Sequence, residues 1–218
     1  MAKEGAAFSP EPSEQMSLEG LDVNRLELLA VIWEAAESLT STDTMKRVNG
    51  LERLVEFDAI RQLPLVAYLL ATRLEEPDIE LRTRIVRYLG SLINSDNFES
   101  NPAGRVKETL MVTLSNMRTR QIFGLLQVTV YDKTAEADVM DLLSCCSYAG
   151  SHLSEILSNR DLPQEIRKQA AFFIGQIGYL DALPVLERMT NRLETRGSEQ
   201  DAVMLPVLQN AVQLLTAP

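Results

Sequence analysis

Apolar positions from about Asp22 onward recur at spacings of three and four, and period-two alternation of β-branched residues is nearly absent. This pattern predicts helices over about 22–39, 42–58, 61–74, 77–94, 102–118, 119–131, 134–147, 148–159, 163–178, 180–196 and 199–216. Turn signals separate them at Glu76-Pro77-Asp78, Asn101-Pro102, Tyr131-Asp132-Lys133, Asp161-Leu162-Pro163 and Gly197-Ser198. The segment Gln127–Tyr131 (QVTVY) is the one place where a strand competes, and with no partner strand in view it reads as helix. Residues 1–20, rich in Pro, Ser and Glu, read as a disordered tail rather than as a short docking motif built on Leu18 and the adjoining Leu21. The remainder, 21–218, reads as one helical domain.

Part of the chain repeats. PDIELRTRIVRYLGSL, from Pro77, aligns at constant offset with LPQEIRKQAAFFIGQI, from Leu162. Leu81, Ile85, Leu89 and Leu92 fall on Ile166, Ala170, Ile174 and Ile177, one buried stripe in each helix. Tyr88 falls on Phe173, Arg82 on Arg167 and Gly90 on Gly175. Leu63-Pro64 and Leu183-Pro184 each open a helix, where proline is tolerated because first-turn N–H groups have no intrahelical partner. A two-helix unit cannot bury enough apolar surface alone, so the expected fold is all-α, an α-α superhelix of about 10–11 helices. A compact bundle would account for the leucine content but not for the duplicated Arg and Gly.

These residues resemble the HEAT-repeat family, including the short form of phycobilisome-lyase-like proteins. The resemblance lies in Leu63-Pro64, Pro77-Asp78, Leu81-Arg82 and Leu89-Gly90, and again in Ile166-Arg167, Ala170-Ala171, Ile174-Gly175 and Leu183-Pro184. It covers about 63–93 and 150–190. It implies an armadillo-like solenoid, in a family of scaffolds, adaptors and a few enzymes. It also implies that Arg82 and Arg167 pair with turn carboxylates and cap carbonyls between repeats. Pro163 stands where the first repeat has Asp78, and the helix count between Asn94 and Ser147 is odd for a two-helix unit. Either one repeat is degenerate or 102–131 is a single kinked helix.

Composition narrows the function. The formal charge is −10 and opposes nucleic-acid binding, whose best support is Arg105, Lys107, Arg118 and Arg120. The longest apolar run, Leu63 to Ala71, is far short of a membrane span, and no leader is apparent, so a cytoplasmic protein is expected. Cys145-Cys146 lacks metal or redox spacing and reads as small core residues. His152, the sole His, reads as a surface or helix-end residue, because its neighbour Ser151 does not by itself make a nucleophile–base pair. Gly175 reads as a point of close helix approach and Gly178 as a helix cap. The acidic run Glu75, Glu76, Asp78, Glu80 reads as a solvated turn, and Trp33 as a staple between the first helices. No catalytic set, metal site or cofactor site emerges.

The expectation is therefore a non-catalytic protein-interaction scaffold, needing no cofactor, that uses the groove of a HEAT-like solenoid. Its partner would be another protein or peptide of acidic character, held by Arg84, Arg87, Lys168, Phe172 and Gln176 on the second helices. Phe172 has two readings of equal standing: an exposed anchor, or a ring packed on its own neighbour. The alternative function is a lyase-like protein handling a small ligand or chromophore, which requires a thiol of lowered pKa at Cys145 or Cys146.

Overall fold

The computed structural model describes residues 23–94, 103–196 and 203–217. The expected tail, residues 1–20, lies outside them. The described chain is all-helical, with twelve α-helices. They are α1 (Val23–Ser38), α2 (Thr44–Glu56), α3 (Ala59–Gln62), α4 (Pro64–Thr72), α5 (Ile79–Asn94) and α6 (Ala103–Ser115). There follow α7 (Thr119–Tyr131), α8 (Glu136–Ser144), α9 (Ala149–Ser158), α10 (Gln164–Ile177), α11 (Leu183–Arg196) and α12 (Leu205–Thr216). Among the described residues no helix is long and apolar enough to cross a membrane.

Local chemistry explains the boundaries. Asp43 caps α2 by accepting the Met45 N–H, and Asp78 accepts the Leu81 N–H at 2.9 Å to start α5. Asp58 in the left-handed region (φ 50) and extended Leu63 before Pro64 set α3 apart from its neighbours, which raises the helix count above the expected 10–11. The 102–131 region is two helices, because the chain turns at Asn116–Met117 and Arg118 is extended. The QVTVY segment is helical within α7, where buried Thr129 returns its hydroxyl to the Leu126 carbonyl. Gly178, at φ 86, ends α10 as its sequence position suggests.

Packing follows the apolar stripes. Leu81, Ile85, Leu89 and Leu92 are buried in α5, as are Ile166, Ala170 and Ile174 in α10. Helix α1 packs on α2, α4 on α6, α9 on α10, and α11 on α12. Helix α5 lies against α8, and α10 against α12. Helix α7 touches α5, α8, α9 and α10.

The paired glycines do the same work at both places. A Cβ on Gly90 would stand 2.5–2.9 Å from atoms of Asp138 on α8, and one on Gly175 would stand 2.7 Å from the Ala211 Cα on α12. Each glycine lets another helix lie directly on its own backbone. Along α8, Asp138 meets Gly90 and Asp141 meets Asn94, so α8 runs in the same direction as α5.

Candidate functional site

The five residues expected to hold a partner lie on α5 and α10, and most of their polar groups have partners inside the chain. Arg84 on α5 pairs with Glu52 of α2 at 3.1 Å. Arg87 donates to Asp132 and to the Thr134 hydroxyl, each at 2.6 Å. Lys168 on α10 pairs with Glu165 at 2.8 Å, its side chain only 17% exposed. Phe172 is half-buried and meets Phe173 edge-on, ring centroids 5.2 Å apart. Gln176 is exposed.

The other singled-out residues are also placed. Cys146 is buried and Cys145 half-buried, both as free thiols. Burial, with Asp141 adding to it, pushes the Cys145 thiol above its ordinary range, opposite to the direction a nucleophilic thiolate needs. His152 Nδ1 lies 2.8 Å from the Thr119 hydroxyl, which donates to Glu155 at 2.9 Å, while Ser151 is exposed. Hydroxyl and carboxylate gather beside the same ring nitrogen, whereas a nucleophile–base–acid relay places them on opposite nitrogens. Arg120 pairs with Glu75 at 2.9 Å, and the Arg118 N–H caps α7 through Gln121. Among the described residues no group of three or more His, Cys, Asp or Glu side chains is placed to hold a metal ion.

Two expectations are overturned. Trp33 is 62% exposed and staples nothing. Helix α1 buries Ile32, Ala35 and Ala36, with Leu39 buried just past its end, and that register turns Trp33 outward. With Leu29, Leu63, Leu65 and Leu69 it walls an apolar groove of about 200 Å³ between α1 and α4. The acidic turn is not wholly solvated either. Glu76 is 2% exposed and accepts both Nε and Nη2 of Arg47, itself 6% exposed, with a shortest contact of 2.7 Å.

Sequence reasoning missed this ion pair, although the signal was present. Arg47 follows the α2 cap Asp43 by four residues, as Arg82 follows Asp78. Both arginines reach the carbonyl six residues back: Arg47 Nη1 to Ser41 O at 3.0 Å, and Arg82 Nε to Glu76 O at 2.7 Å. Arg82 therefore bonds a turn carbonyl rather than the Asp78 carboxylate, which is occupied in capping α5. Arg167 Nε also bonds a carbonyl, Leu157 O at 3.0 Å, but one that lies at the end of α9.

Arg82 extends further. Its Nη1 donates to Gln127 Oε1 at 2.6 Å and to Gly124 O at 3.3 Å, both on α7. The close approach exists because Gly124 has no side chain, and a Cβ there would stand 2.5 Å from the Leu74 carbonyl. Burial draws the Arg82 guanidinium below its ordinary value, against the pull of Glu76 and Asp78.

Above Arg82 and Gln127 opens a cleft of about 520 Å³ between the N-terminal turns of α5 and α10 and the C-terminal turn of α7. Its walls are Pro77, Ile79, Val130, Tyr131, Pro163 and Ile166, and Glu165 stands at its edge. Val130 and Tyr131 are exposed on its rim, and the Tyr131 hydroxyl donates to Glu80 at 3.2 Å. That bond and the surrounding carboxylates Asp132 and Asp78 push the phenol up. The cleft combines apolar walls with the buried Arg82 guanidinium and the half-buried Gln127 amide at its floor, and Glu165 at its edge. Comparisons with family models, with curated proteins and with solved structures give no match for the chain.

Proposed function

We propose that the chain is a HEAT-like superhelix serving as a non-catalytic scaffold that holds another protein, and that the cleft above Arg82 is its holding site. Three features support the superhelix. Arg47 and Arg82 occupy equivalent positions relative to their caps and carbonyls, and each reaches onto the following unit. Gly90 and Gly175 each seat the next second helix. Helices α5 and α8 run in parallel, as second helices of successive units must.

The observation that carries the binding role is the cleft itself. It is formed by three helices remote in sequence, is walled by apolar side chains, and has a 93%-buried arginine at its floor. Concave apolar surface with a few oriented polar groups is the general form of a recognition site.

The test is retention of a protein from native lysate on the immobilised full chain, with Val130→Lys as the control. Val130 is 43% exposed, so the lysine reaches solvent and the melting temperature stays within about 1 °C of wild type. A stoichiometric protein retained by wild type and lost from Val130→Lys is the expected result. Retention of no protein, or equal retention by both chains, overturns the reading.

A further inference from the structure

We infer that the face shared by α1 and α4 is a surface for a second copy of this chain, the two copies pairing about a twofold axis so that α1 of each lies over α4 of the other. This interface is separate from the cleft above Arg82 and does not depend on it.

The register of each helix builds the face. In α1, burial of Ile32, Ala35 and Ala36 leaves Leu29 and Trp33 exposed on the groove between α1 and α4. In α4, burial of Val66, Ala67, Leu70 and Ala71 leaves Leu65 and Tyr68 exposed. Leu65 belongs to the groove wall, and Tyr68 neighbours it on the helix surface at the i+3 position. Outside α1 and α4, the described residues expose large apolar side chains only in ones and twos. At the far end of the described chain, α12 turns Gln209, Asn210 and Gln213 to solvent beside Leu214. Such polar surface is what an outermost helix carries when it meets only water. Helix α1 turns an aromatic ring and a leucine outward instead.

The area fits a dimer of ordinary size. Each of the four side chains is close to half exposed or more, which together offers on the order of 450 Å² when a whole aromatic side chain buries about 150–250 Å². A standard interface takes about 800 Å² from each partner, a little over half of it apolar, so the face supplies about that apolar share. Twofold pairing uses the same surface on both copies, so each Trp33 meets the groove of the other copy. The walls of that groove hold no ionisable side chain, and no charge has to be stripped of water there.

Charge at the edge of the face decides how the copies lie. The exposed ionisable residues of α1 are Glu27, Glu34 and Glu37, and Glu37 stands one turn past Trp33. Arg73 stands one turn past Leu69, and its guanidinium makes no hydrogen bond or ion pair among the described residues. The acids nearest to it in sequence are already engaged, Glu75 by Arg120 and Glu76 by Arg47. Laying α1 over α4 of the other copy brings Arg73 toward an α1 glutamate, twice by symmetry. Laying α1 over α1 would gather six glutamates with no cation among them.

Trp33 is the sole tryptophan, so its emission reports this face alone. The full chain should sediment as a monomer near about 1 μM and as a dimer near about 200 μM, with emission moving to shorter wavelength over the same range. In sedimentation equilibrium, Trp33→Ser and Leu65→Lys should each weaken the dimer at least about tenfold, and Arg73→Glu at least about threefold. At about 1 μM, Leu65→Lys should melt within about 2 °C of wild type, because the side chain it replaces is already half in water. A chain still monomeric at about 200 μM, a dimer that survives Trp33→Ser or Leu65→Lys, or one indifferent to Arg73→Glu overturns the inference. Short-wavelength emission from the monomer also overturns it, because another part of the same chain would then cover the ring.

Discussion

The groove between α1 and α4 and the cleft between α5, α7 and α10 differ in what lies at their floors. Trp33, Leu29 and Leu65 make a surface that is apolar throughout, so it rewards any dry contact and prefers no orientation. The cleft sets Arg82 and Gln127 beneath similar apolar walls, so a ligand there meets fixed polar groups as well as apolar surface. Apolar area supplies attraction, and fixed polar groups supply direction. Helix α1 carries apolar residues on two faces, and that alone accounts for the groove. The cleft has no such account, since its polar floor is assembled from helices far apart in the chain.

That contrast can be broken most sharply at the ion pair beneath the cleft. Glu76→Ala strands buried Arg47 and loosens the turn whose carbonyl holds Arg82. The expected loss is about 3–5 kcal/mol, and the midpoint of thermal unfolding should fall by roughly 10 °C. A change below about 2 °C would mean that the pair does not support the cleft. Gly175→Leu comes next: its side chain must displace Ala211 of α12, at a cost of about 1–3 kcal/mol in urea melts. Gly90→Leu should act similarly against α8, and a large difference between the two would deny that the glycines are equivalent.

Trp33→Ser should be mild, costing under about 1 kcal/mol, because the ring is mostly in solvent already.

The smallest effect is a pH dependence. Burial beside Gly90, together with Asp141, raises the Asp138 carboxyl above its ordinary value. The folded chain therefore binds that proton more tightly than the unfolded chain, and Asp138 contributes stability as pH falls through its folded value toward the ordinary aspartate range. Asp138→Asn should remove this increment. The difference between variant and wild-type stability, measured from neutral pH down to the ordinary aspartate range, should shift in the wild type's favour as the solution is acidified.

Much of the helical framework was legible because it is local. The stripe through Leu81, Ile85 and Leu89, the turn at Pro77-Asp78, and the roles of Gly175 and Gly178 all follow from spacing within about one helix. The candidate site was less legible because its chemistry is long-range. Arg84 and Arg87 are met by Glu52 and Asp132, 32 and 45 positions away. Position on a helix face cannot reveal such partners, and surface cations look alike in a sequence whether paired or free. Glu76 was hidden for the same reason: its burial depends on Arg47, 29 residues upstream. Trp33 misled because a large aromatic in an apolar helix suggests burial, whereas α1 has more apolar positions than one buried face can hold.

The Arg47–Glu76 pair has a consequence for how such a protein can change length. Removal of α1 and α2 would leave the Glu76 carboxylate buried without its arginine in the turn between α4 and α5, so the first two helices are tied to that turn by charge as well as by apolar contact. Any rearrangement that separates α2 from α4 and α5 would have to replace Glu76 in the same step.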